Sequence, residues 1–309
     1  MKSAPRAAAR LRCGAAAASA AAPRADIYLL TDQPRATRSG TVLSDLMHNP
    51  VMTGGLMMAM VAAVALFNPA LHASLTHAMP GVLGVAPPAI DMANPAMLLM
   101  VALQAGLAAI DIHHAKLGVT RLSMENAAVK HGICSVALMG AYMMHINTEP
   151  FTLFCAAFFG MMALWANKAA AAMGGSPSGI GAFTLNALTA EGVIAMSMGF
   201  TMMFTKVNLL AVMMTPLGLT APAVAVAMPW DVLVPTLLMG LGASRMHAGM
   251  HTPTMRDYSN AAVSSGTITA AVLVTFLLGR ASMDAVGMVL SMPAVMALWA
   301  FVSAAMMRH

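Results

Sequence analysis

The chain has 309 residues, 59% of them hydrophobic and only 9% charged, with a mean hydropathy of +0.76. Soluble globular domains are about a quarter charged, so this composition excludes an ordinary water-soluble protein, and its apolar content equally excludes a disordered one. Three cysteines (Cys13, Cys134, Cys155) exclude a disulfide scaffold, and the net charge of +5 does not make a nucleic-acid binder, because seven of the 16 basic residues fall within the first 38.

Residues 1–40 differ in kind from the rest. They are rich in Ala, Arg and Ser, and no acid precedes Asp26. The stretch after the first basic residues is nearly all Ala and too weakly apolar for a secretory signal. The pattern is that of an organellar transit peptide. The alternative is a disordered tail. The first reading places the protein in a chloroplast or mitochondrial membrane, the second in a bacterial inner membrane.

Residues 45–309 read as one transmembrane helical domain. A hydrocarbon core of ~30 Å needs about 20 apolar residues per helix. The predicted spans are 49–69, 93–112, 127–146, 150–171, 180–204, 207–228, 231–250, 260–279 and 285–306. Pro216 and Pro222 interrupt the sixth, so the count is eight or nine. The runs are continuous rather than alternating, which argues against a β-barrel. Abundant Gly and Ala suit close helix packing in lipid. The expected fold is therefore an all-α, polytopic integral membrane bundle. With nine spans, Arg35, Arg38, Lys116, Arg121, Lys168 and Arg280 share the amino-terminal side, and Lys206, Arg256 and Arg308 the other. The positive-inside bias then puts the amino terminus in the cytoplasm-equivalent compartment.

An ionisable group within hydrocarbon is costly and must be neutral, paired or wet. Glu191, in Thr189-Ala190-Glu191-Gly192-Val193, falls near the middle of the fifth span. It is the expected centre of proton or cation coupling, with Arg245 as a polar companion; the competing reading is a structural hydrogen bond between helices. His247 and His251 are four residues apart and share a helical face, ~40° apart. With Met246 and Met250 beside them they suit copper better than zinc, unless they are interfacial histidines at the end of a span. Asp111, His113 and His114 close the second span and Lys130 and His131 open the third. They form a further polar cluster, read as a metal or proton entry site or, more simply, as a solvated helix–loop–helix turn.

His131 and His145 are spaced ~21 Å along one helix, as in two-haem cytochromes. No second helix carries a matching pair, so haem is disfavoured and copper is the cofactor left open. The 34 methionines read as flexible apolar filling or as a soft-metal path. No P-loop, nucleophile elbow or dinucleotide-binding glycine pattern is present, and no catalytic residue is assigned.

Gly192-Val193-Ile194-Ala195-Met196 resembles the Gly-Arg-x-Ala-Met pigment helix of light-harvesting proteins, and Lys130-His131-Gly132 is similar to a Lys-His-Gly-Arg variant of it. The motif's Arg is Val193 or Ile133 here, and that family has three spans. In style, the Met- and His-studded helices are similar to Met/His-rich bacterial membrane proteins. The chain is assigned to neither.

Together these features predict an integral membrane protein, partnered by the lipid bilayer and not by nucleic acid, that transports a small ion or solute, with copper handling as a special case. The alternatives are an accessory subunit packed among other subunits of a respiratory or photosynthetic complex, and a haem- or pigment-binding redox protein.

Overall fold

A computed structural model describes residues 49–82, 94–179, 181, 183–205, 230–283 and 286. All of them fall in the second of the two units into which the chain divides, Thr41–His309. The leader and the predicted spans 207–228 and 285–306 lie outside the described residues, apart from Val286. The described residues form eight helices and no strand: α1 Pro50–Phe67, α2 Pro69–Val82, α3 Pro95–Lys116, α4 Arg121–Met143, α5 Pro150–Ala172, α6 Ala187–Thr205, α7 Trp230–Met250 and α8 Met255–Leu277.

Three Asn-Pro dipeptides set the first three starts. Asn49, Asn68 and Asn94 each precede a proline, which disfavours helical backbone in the residue before it. Each turns its side-chain oxygen onto an otherwise orphaned backbone N–H, of Met52 at 3.0 Å, Leu71 at 3.0 Å and Ala96 at 2.9 Å. The expected span 49–69 therefore stops at Phe67, and α2 is a separate helix that the sequence did not predict. α4 begins with a Thr120–Ser123 capping box. α8 begins with Asp257 Oδ2 accepting from Thr254 N at 2.8 Å and from its hydroxyl at 2.7 Å.

Among the described residues, α1, α3, α5, α6 and α8 are long and apolar enough to cross a membrane; the expected total of eight or nine is not confirmed, since two of those spans lie outside the described residues. α4 and α7 have spanning length, but they carry Lys130, His131, Arg245 and His247. α7 is buried from Val232 to Arg245 and packs on α6, α4 and α3. α3 in turn packs on α1 and α8, and α4 on α5. The side chains are distributed with apolar groups outward and charge inward. Val136 is 70% exposed, Leu164 71% and Leu277 80%, whereas Asp111 and Lys130 are each 1% exposed.

α6 and α7 meet through glycines. A Cβ at Gly192 would stand 2.7 Å from the Gly242 carbonyl oxygen, and one at Gly242 would stand 2.6 Å from that of Gly192. The same antiparallel register places Gly199 against the Pro235 carbonyl and Gly249 against Thr189. Only helices lacking side chains at these points can approach so closely.

The connections gather six helix ends at one end of the bundle. Arg256, at the start of α8, donates to the carbonyls of His114 (3.1 Å) and Gly118 beyond α3. Arg121 donates to Gly174 and Gly175 beyond α5. Asn186, before α6, donates to the Gly249 carbonyl in α7 at 2.9 Å. At the opposite end Arg280 donates to the carbonyls of Leu66 and Phe67. The expected sides of Arg256 and Arg280 are thus exchanged. Because α6 and α7 run antiparallel, Thr205 and Trp230 face the same end, and every later loop changes sides.

Candidate functional site

The gathered end holds nearly all the buried charge. Asp111 lies near the end of α3 and Lys130 three turns into α4, which follows after the short Leu117–Thr120 connection; both helices pack on α1 and α7. Lys130 Nζ is 2.5 Å from Asp111 Oδ2, and His131 Nε2 is 3.7 Å from the same oxygen. His131 also stacks on Phe159, with ring centroids 5.8 Å apart. Space for the pair comes from α1, where a Cβ at Gly55 would stand 2.8 Å from Asp111 Cβ. The simpler expectation of a solvated turn does not hold for Asp111, Lys130, His131 or His114, all of which are buried. Asp111 is covered by α1 at Gly55 and Lys130 by α7 at Gly240, helices that spacing within Asp111–His131 could not reveal.

The second charged pair joins α6 and α7. Glu191 was expected at mid-span; α6 starts only at Ala187, so Glu191 lies in its second turn. Its neighbour Gly192 makes the close contact with Gly242, three residues before Arg245, and that contact brings the two side chains together. Arg245 Nε stands 3.8 Å from Glu191 Oε2, with both side chains buried. Arg245 Nη2 donates to the Ala261 carbonyl at 2.8 Å and to Ser265 Oγ at 3.3 Å on α8. Neither carboxylate oxygen of Glu191 has a hydrogen-bond partner. The guanidinium is therefore tied to α8, and Glu191 feels its charge without being capped by it. Such a carboxylate remains free to bind a proton or a cation.

Beside Arg245 lies a cavity of about 10 Å³ whose lining includes His114, Asn126, Ser244 and Asn260. His113, half-buried, shares a 2.5 Å hydrogen bond between its Nδ1 and Asn260 Oδ1.

A larger chamber of about 430 Å³ opens between α4, α6 and α7, lined by His247, His251, Met196, Met246, Met250 and Glu125 among others. The two imidazoles are edge to face with centroids 4.6 Å apart. His247 Nδ1 and His251 Nε2 are buried without partners. Glu125 is held at the rim by Arg121 Nε at 2.8 Å and receives the Ser178 N–H at 3.3 Å. Among the described residues no three His, Cys, Asp or Glu side chains converge as a metal site, so His113, His114 and His131 do not join into one. A metal in the chamber would need thioether sulfur to complete its coordination, which selects a soft ion such as Cu(I) over zinc or magnesium. The two histidines and three methionines present are consistent with that donor set.

No protein-family model, curated protein or solved structure matches this chain. The site rests on its own geometry. Glu191, Arg245, His247 and His251 were legible as ionisable groups in apolar helices. Asn126, Asn260 and Ser265 carried no such signal, being ordinary polar residues until the helices bring them to one place.

Proposed function

We propose that this chain is an integral membrane protein that moves a small cation or protons across the bilayer, with Glu191 as the coupling group and Arg245 as its fixed counter-charge. Membrane residence is supported by the five apolar helices and by outward faces bearing Val136, Met161 and Leu164, a distribution that soluble proteins avoid. The observation that carries the transport reading is the buried carboxylate of Glu191, unbonded and 3.8 Å from a guanidinium anchored elsewhere. Orientation follows from Lys116, Arg121, Lys168 and Arg256 at the gathered end against Arg280 at the other. The positive-inside bias directs the gathered end to the cytoplasm, stroma or matrix.

The test is proton and cation flux in proteoliposomes. Glu191→Gln keeps the shape and removes the titratable group, and flux is expected to fall to the level of empty vesicles. Undiminished flux, or migration only as part of a larger complex, would favour an accessory subunit instead. A visible absorption band from the purified protein would favour the haem or pigment reading.

The chamber supports a second, narrower reading, that the cargo is Cu(I). Its carrying observation is the pair of unpartnered imidazoles beside Met196, Met246 and Met250. Purified protein loaded with Cu(I) is expected to retain it stoichiometrically and to lose it in the His247→Ala, His251→Ala double variant. Equal retention by both would remove this reading.

A further inference from the structure

Four helices each contribute one residue with an unpartnered buried polar atom to the lining of the 10 Å³ cavity: His114 Nδ1 from α3, Asn126 Oδ1 from α4, Arg245 Nε from α7 and Asn260 Nδ2 from α8. Leaving four such atoms unsatisfied in an apolar interior is costly. Their chemistry is complementary to a single partner. Arg245 Nε and Asn260 Nδ2 can only donate, and Asn126 Oδ1 can only accept. The Asn260 amide is oriented by its oxygen, which meets His113 Nδ1 at 2.5 Å. His114 Nδ1 accepts if the ring carries its proton on Nε2. Two donors and two acceptors match one water molecule, and a cavity of this size holds one and nothing larger.

We propose that this cavity binds one water, and that the water links the two buried charged clusters by hydrogen bonds. His114 lies three residues from Asp111 on the same helical face, and Arg245 Nε is the atom that stands 3.8 Å from Glu191. The water thus joins the Asp111–Lys130 side of the bundle to the guanidinium that faces the coupling carboxylate; Arg245 Nε only donates, so the link carries no proton and instead fixes where the guanidinium stands beside Glu191. The functional half of this proposal rests on the transport reading; the water site does not.

Histidine-selective ¹⁵N NMR of the full chain in detergent tests the site directly. The expected result is a His114 ring protonated on Nε2 with a cross-peak to bound water. A proton on Nδ1, or no water contact, overturns the site. Ser244→Val places a methyl group into the cavity, and the cross-peak should vanish while proton flux falls, because Arg245 loses the water that holds it beside Glu191. Wild-type flux with the water expelled overturns the link, yet leaves the role of Glu191 standing. Should that variant fail to fold, His114→Leu removes one of the two acceptors, whereas His114→Asn retains an acceptor near Nδ1. His114→Leu should lose the water and flux together and His114→Asn should keep both; equal flux in the two variants overturns the link. If instead Glu191→Gln leaves flux intact, the transport reading fails while the NMR result still decides the water site.

Discussion

At the residue scale the decisive fact is that charge is buried in pairs of unlike quality. Lys130 and Asp111 are in direct contact at 2.5 Å, whereas Arg245 and Glu191 are 3.8 Å apart with no hydrogen bond joining them. A tight buried pair is worth little against an apolar replacement, but losing one partner strands the other. Lys130→Met is therefore expected to destabilise the bundle by about 3–5 kcal/mol, and the double change Lys130→Met, Asp111→Leu to recover most of that. Thermal unfolding in detergent reads both. A double variant as damaged as the single one would show that the pair has no partner-specific role. The Glu191 prediction has the opposite character, because Glu191→Gln should cost little stability and nearly all flux. The sequence exposed Glu191 as an anomaly, whereas it showed Asp111 as one member of a polar cluster at the end of a span. It could not rank them, because the contrast depends on where Arg245 is anchored, on Ala261 and Ser265 of another helix.

At the element scale, helix starts were written locally and helix neighbours were not. Asn68-Pro69 breaks what composition reads as one apolar run, and the signal was present in the dipeptide itself. Removing the cap by Asn68→Ala should cost about 1 kcal/mol, detectable as a lowered unfolding temperature; an unchanged value would mean that Pro69 alone stops α1. The α6–α7 contact was legible only as a richness in glycine. The register that opposes Gly192 to Gly242 requires the antiparallel pairing, which local sequence does not encode. Gly242→Leu has no room, since even a Cβ would stand 2.6 Å from the Gly192 carbonyl oxygen. It should force the helices apart, separate Arg245 from Glu191 and abolish flux, with increased protease sensitivity of the α6–α7 region as the structural readout. Wild-type flux and protease resistance in that variant would mean that the close contact is dispensable.

At the scale of the whole molecule, the all-helical character and the inward turn of the charges followed from composition and from the cost of bare charge in hydrocarbon. The sides of the later loops did not follow, because they depend on an even or odd number of crossings between α6 and α7. Single-cysteine labelling checks the arrangement. In a Cys13→Ala, Cys134→Ala, Cys155→Ala background, Lys168→Cys and Arg256→Cys should react from the same side of an oriented vesicle, and Arg280→Cys only from the other. Labelling of Arg256→Cys and Arg280→Cys from one side would contradict the topology. The stop at Asn68 has a wider consequence. The 18 residues of α1 rise about 27 Å, slightly less than a typical hydrocarbon core of about 30 Å. A bilayer crossed by α1 would have to thin to meet its ends, at a cost that grows with acyl-chain length, so the purified protein is expected to insert less readily into vesicles of longer-chain lipid.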